Sequence, residues 1–390
     1  MNIFKNRFVH IAILIITALF LRFYLAGFLE EDTVFWLRVT SIILILGIGV
    51  LFVLRKIAEV IEETTEALSK KTKLASGLLQ SLGTAFPDMV LGVMAAIISL
   101  RLVNEDYGMA INFAIIAAAT TFGSNIYNIA HAAWCVFRQN VANKKEKPVL
   151  MMPGVKGLGM VIPMKDHKTK PSLAEIDGSA NVLNILTILT AIVAISMVIF
   201  GKIEQVPSNI KGDLYQLIKP VGLVILLLCI FIMYYFRKTK RGDILIEEVE
   251  KEEKYYVKKP VWVTLVALLS SGIAILFAAE SMVMAIETVS SITGLPFVIA
   301  GVLAGVIGCM GEMIVVHNFT VNPKGRIGDA LVGVAMDNIV TTMGASIVAL
   351  MGGIFLGGNA LILIFVIILS LNSVLLWQIL GLKNFFLEKA

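Results

Sequence analysis

Apolar positions along the 390 residues come in long unbroken runs, neither alternating nor arranged as one-sided helical stripes. Several runs exceed the ~18 residues that a helix needs to cross about 30 Å of hydrocarbon. Continuous runs also exclude the alternating strands of a membrane β-barrel. They predict an all-α polytopic membrane protein with about ten transmembrane helices, over 8–28, 34–56, 74–103, 108–137, 179–201, 217–236, 261–285, 293–320, 327–353 and 358–381. Two longer connections, 138–178 and 237–260, do not read as domains. The first holds Pro148, Pro153, Pro163 and Pro171, which break helices. The second contains LIEEVEKEEKYYVKK at 245–259, which lacks the alternating ligands of a calcium loop and reads as a solvated charged face.

Composition agrees: 58% of residues are hydrophobic, 16% charged, and the mean hydropathy is +0.87, far from a soluble domain. The distribution of charge orients the spans. Starting from the N-terminal tail and taking every second connection, one side collects 27 of the 33 Lys and Arg. The positive-inside rule then places both termini in the cytoplasm. The net charge of +5 therefore belongs to loops and is no nucleic-acid signal. Lys5 and Arg7 before an apolar run could open a signal peptide. No small-residue cleavage pattern follows, and Arg22 closes the run like an interfacial residue, so the first helix is read as retained. Cys135, Cys229 and Cys309 lie inside spans, which argues against a disulfide framework. The four histidines lack zinc spacing. No phosphate loop, HExxH or Ser-His-Asp order appears, so neither ATP coupling nor an enzyme is expected.

Ionisable residues at membrane depth are costly, so the remaining carboxylates carry the information. Asp88 lies in SLGTAFPDMVLG of the third span and Glu312 in AGVIGCMGEMIVV of the eighth. Helix breakers flank both: Gly83 and Pro87 in one case, Gly308 and Gly311 in the other. Unwound backbone at this depth is tolerated only where it lines a cavity or is buried in protein. Freed carbonyls with a carboxylate form an all-oxygen environment that suits Ca²⁺ or Na⁺. The span after each also matches. The fourth holds Ser124, Asn125 and Asn128; the ninth holds Asp337 and Asn338. Setting Gly123 against Gly333 pairs Asn128 with Asn338. Ser124 and Asn128, four apart, share a helix face. Asp337, about 100° round from Asn338, is expected to face another direction, as a further carboxylate near the pathway or an interhelical hydrogen-bond partner.

The unit of broken helix, loop and amide-bearing helix thus occurs twice, five spans apart. An odd offset reverses its orientation, which is the inverted-topology repeat of a secondary transporter. The halves are residues 1–201, with the first repeat at 74–137, and 202–390, with the second at 293–353.

GTAFPD at 83–88 followed by GSNIYN at 123–128 resembles the α-repeat of the calcium:cation antiporter superfamily, which includes sodium/calcium and calcium/proton exchangers. The resemblance implies that Asp88 and Glu312 are the central cation carboxylates and that Thr84 and Gly308 add backbone carbonyls. It makes Ser124, Asn128 and Asn338 ligands or close neighbours. Ala85, Cys309 and Val334 stand where the family often has serine, Gly311 replaces the proline, and Asn338 stands where some sodium-coupled members carry a carboxylate. The lost hydroxyls argue against several sodium sites. The motifs also sit one span later than usual.

The expected protein is a prokaryotic plasma-membrane antiporter without a resident cofactor. It would exchange Ca²⁺ for Na⁺ or H⁺ by alternating access, its partners being inorganic cations and the bilayer. The alternatives are proton-coupled carriage of another cation, such as Na⁺ or Mg²⁺, and a non-transporting protein on the same scaffold. His131 and His317, near the two motifs, are read as packing or interfacial hydrogen bonding before proton coupling.

Overall fold

The computed structural model describes residues 7–30, 32–72, 76–168, 170–207, 212–238, 255–323 and 327–389. The side chains of residues 71–88 lie outside the described residues, and so does most of the acidic stretch at 245–259. Among the described residues, eleven α-helices follow one another: α1 Arg7–Phe20, α2 Phe35–Ile48, α3 Arg55–Thr72, α4 Ser76–Leu102, α5 Tyr107–Lys145, α6 Leu173–Phe200, α7 Lys219–Lys238, α8 Val261–Thr293, α9 Phe297–Thr320, α10 Ile327–Met351 and α11 Gly358–Lys389. Among the described residues, seven helical segments are long and apolar enough to cross a membrane. An eighth is a bent pair, and two shorter apolar helices, Met89–Leu102 and Lys219–Tyr234, coincide with the third and sixth predicted spans. The protein is a polytopic helical membrane protein.

Burial sorts these helices. The apolar windows of α5 and α10 are 83% and 78% buried, against 33–39% for the spans formed by α1, α2, α6, α8 and α11. The two helices predicted to carry the amides therefore lie at the centre, and those five spans face outward.

Small residues let the central helices touch. A Cβ placed on Gly301 would stand 2.6 Å from Ala119 Cβ, and one on Gly305 would stand 2.6 Å from Ser124 N. These two glycines, four apart on α9, bring its backbone against that of α5, as close-packed membrane helices do. On the other flank Gly344 of α10 meets Met89 of α4, and Gly353 meets Ala96. Each predicted broken helix thus lies beside the small-residue helix of the other predicted half.

Several elements depart from the sequence reading. The second span does not stop at 56: a wide turn over Gly49–Leu54 leads into α3. Ile57, Val60, Ile61, Thr64 and Ala67 are buried along one side of α3, a helical stripe. In the 138–178 connection, α5 continues to Lys145, where Glu146 adopts a left-handed cap (φ 50°). A hairpin follows, β1 Val149–Met152 paired antiparallel with β2 Val155–Val161. Ser172 and Glu175 then form a reciprocal capping box that starts α6. A second strand pair, β3 Leu214–Gln216 and β4 Phe355–Gly357, ties the 201–218 connection to the start of α11. α8 extends to Thr293, so Glu280 lies within a helix. It pairs with Arg22 (Nε–Oε2 2.9 Å) and Arg101 (Nη1–Oε1 3.5 Å).

Candidate cation site

α9 bends by 50° between Met310 and Glu312, at the glycines that the sequence marked as breakers. The second segment therefore begins with Glu312, which is 4% exposed. Gly308 is buried just before the bend, and Cys309 Sγ donates to Val306 O of its own helix.

The side chain that receives Glu312 is Asn128 of α5. Its Nδ2 donates to Glu312 Oε2 and also to Asp337 Oδ2 of α10, the latter at 2.8 Å. One amide thus spends both of its protons on two carboxyls from two other helices. All three residues are 4–6% exposed.

Two carboxyl groups this close and this dry cannot both hold uncompensated charge; a shared proton or a bound cation must offset them. The oxygens left over are acceptors. Among the described residues, Glu312 Oε1, Asn128 Oδ1 and Asn338 Oδ1 are buried without a hydrogen-bond partner. Buried acceptors without donors are costly. A hard cation, which binds through oxygen alone, satisfies such acceptors. No group of three or more His, Cys, Asp or Glu side chains comes together among the described residues, so the described acidic content of the site is the Glu312–Asp337 pair.

The expected residues divide as follows. Asn128 and Glu312 meet, through the amide nitrogen of Asn128. Asn338 is buried close by in sequence, but its Nδ2 donates to Val334 O at 3.0 Å, one turn back on α10. Ser124 is fully buried beside Gly305, its Oγ donating to Thr121 O at 2.9 Å; its oxygen retains lone pairs. The side chains of Asp88 and Thr84 lie outside the described residues. Asp337 takes the place of an interhelical hydrogen-bond partner, one of its two expected roles: it accepts from Asn128 Nδ2 beside Glu312, while Asn338 bonds its own backbone. The available signal was Asp337 itself, an acidic residue in a span with no basic residue near it.

One turn beyond Asn128, His131 stacks on His317 of α9, ring centroids 5.9 Å apart at 19°. His131 Nε2 lies 3.6 Å from Cys135 Sγ, and His317 Nε2 lies 2.9 Å from Leu158 O in the hairpin. The two histidines pack and hydrogen-bond at the α5–α9 contact, between the carboxyl pair and the hairpin.

No protein-family model matches the sequence, and no curated protein matches it. Solved structures do share its architecture. The H⁺/Ca²⁺ exchanger CAX is 13% identical, with a TM-score of 0.54 over 96% of this chain and 95% of that one. Native YfkE is also 13% identical, with a TM-score of 0.51 over 98% of this chain and 100% of that one. From end to end, the chain has the fold of the exchanger CAX.

Proposed function

We propose that this protein is a secondary active antiporter that exchanges Ca²⁺ for H⁺ or Na⁺ across its membrane by alternating access. The observation that carries the reading is the buried carboxyl pair held by one amide at a bend in α9, with acceptor oxygens left over. Such a site holds either one divalent cation or its monovalent replacements, which is the stoichiometric logic of antiport. The fold shared with an H⁺/Ca²⁺ exchanger supports the same reading.

In this proposal Glu312, Asp337 and Asp88 supply charge. Asn128 orients the pair, Ser124 and Asn338 offer neutral oxygens, and the backbone at Thr84 and Gly308 adds carbonyls. The two five-helix halves, 1–201 and 202–390, would exchange roles as inverted repeats, with both termini on the cytoplasmic side. Nothing covalent happens: the protein's work is to bind, dehydrate and re-expose the ion.

Calcium uptake by purified protein in sealed liposomes tests this, with a sodium gradient and a pH gradient imposed separately. Uptake driven by one gradient, and lost in Glu312→Gln, is expected. Uptake under neither gradient, with Glu312→Gln behaving as wild type, overturns the calcium assignment and leaves another cation or a non-transporting role.

A further inference from the structure

The hairpin over 149–161 is built the wrong way round for a water-exposed strand pair. Side chains alternate across a strand, so Gly157 and Gly159 of β2 share one face while Lys156, Leu158 and Met160 share the other. The glycine face meets the protein at its far end, at Gly159 and Val161, while Val155 and Gly157 stay exposed. A Cβ at Gly159 would stand 3.0 Å from Val321 Cβ and 3.2 Å from both of its methyl groups, and Gly159 has φ +84°. The opposite face carries the apolar side chains outward: Leu158 is 43% exposed and Met160 48%. Leu150, opposite Met160 in the register, lies half-buried on that same face. An antiparallel pair at a protein surface normally turns its apolar face inward and its polar face to water.

Position and charge say what covers this face. Trp134 Nε1 donates to Met151 O at 3.2 Å and Arg138 Nε to Leu150 O at 3.0 Å. The Arg138 guanidinium lies 5.7 Å from the Trp134 ring centroid, and exposed Phe137 packs against the same ring. Tryptophan, with arginine at the end of an apolar span, marks the membrane–water interface, so the hairpin lies level with that layer. Exposed apolar positions on α9, namely Leu303, Met310 and Ile314, lead along the helix to His317 and Val321, where the hairpin sits. The connection 138–178 carries eight Lys and Arg against four acidic residues.

We propose that the outward face of this hairpin, formed by Leu150, Leu158 and Met160, is a membrane-binding surface. It seats in the interfacial layer of the leaflet on the basic side, with Lys156 and Arg138 toward anionic headgroups. The contact reaches the cation site mechanically. The Leu158 carbonyl accepts from His317, on the helix segment that begins with Glu312, so lipid holding the hairpin also holds that segment. This inference stands whether or not calcium is the substrate.

The three native cysteines are buried, so single cysteines introduced at exposed positions can carry spin labels selectively. Lys156→Cys, Leu158→Cys, Met160→Cys and the exposed loop control Lys168→Cys would be labelled in the full chain. Each is reconstituted in phosphatidylcholine vesicles with and without phosphatidylglycerol, and collision with oxygen is compared with collision with a water-soluble nickel chelate. The expected result is an oxygen-to-nickel ratio several-fold higher at 158 and 160 than at 168, rising further with phosphatidylglycerol, with 156 nearer the aqueous control. Ratios at 158 and 160 equal to that at 168 overturn the proposal. So does low access to both reagents with spin–spin coupling that disappears on dilution with unlabelled protein, which would make the occupant a second copy of the chain.

Discussion

The decisive perturbation is Asp337→Asn. The sequence count favoured Asn338 as the α10 ligand, whereas the structure puts Asp337 on the amide that also holds Glu312. Asparagine keeps the shape and can still accept from Asn128 Nδ2, so packing survives and only charge is lost. Two unit charges about 4 Å apart interact by about 4 kcal/mol at an effective dielectric constant of 20. Removing one partner of a buried charge arrangement costs about 3–5 kcal/mol. The affinity for a divalent ion should therefore fall at least about 100-fold. Thermal unfolding in detergent with and without calcium reads this directly. At calcium equal to about 100 times the wild-type Kd, binding stabilises the wild type by about 2.7 kcal/mol, and a 100-fold weaker variant gains only about 0.4 kcal/mol. Asn338→Ala removes one neutral oxygen and should cost about 1 kcal/mol, leaving most of the shift. A full calcium shift in Asp337→Asn with none in Asn338→Ala would refute the geometry and restore the sequence count.

Three further outcomes are expected. Asp88→Asn and Glu312→Gln should each abolish exchange in liposomes while the protein still elutes as a single species; wild-type rates in both would remove the carboxylates from the mechanism. Gly305→Ala puts a methyl 2.6 Å from Ser124 N and 2.8 Å from Thr120 O, a backbone clash that should cost about 1–3 kcal/mol, measured as a lowered melting temperature; an unchanged melt would mean that α5 and α9 are not in that contact. In the hairpin connection, burial holds the His167 imidazole below its ordinary range, and its Nε2 contacts Ile162 O at 3.1 Å. A depressed folded value means that this group's stabilisation is present above the unfolded pKa and lost as pH falls through the folded one. Amide exchange over 160–168 should accelerate on acidification in the wild type and lose that response in His167→Gln.

The membrane class and the cores of the spans were legible because bilayer physics leaves few choices: an apolar run long enough to cross must be a helix. The bend at Glu312 was legible for the same reason, since Gly308 and Gly311 beside a buried carboxylate have no comfortable straight-helix explanation. What escaped notice depended on partners. α3 looks polar in sequence, and it reads as a helix only once Ile57, Ile61, Thr64 and Ala67 have a surface to bury against. The hairpin at 149–161 follows a run of lysines, and its Gly159 serves a contact with Val321, at the end of a helix some 160 residues on, a relation that no local pattern carries.

Asp337 shows where a residue count stops. Counting from Gly123 and Gly333 pairs Asn128 with Asn338 and leaves Asp337 open between a pathway carboxylate and an interhelical hydrogen-bond partner. Which of these it is depends on a partner from another helix. Asn128 is one side chain bridging two carboxyls, whereas on α10 the two polar residues divide the work, Asp337 reaching Asn128 while Asn338 bonds its own backbone at Val334. Among the described side chains, a carboxyl pair on α9 and α10 faces one amide on α5. In an alternating-access cycle the exchange of that charge would then be governed by how α9 moves relative to α5. The contacts that resist such movement are Gly301 and Gly305 against the α5 backbone, the His131–His317 stack and the hairpin bond to His317.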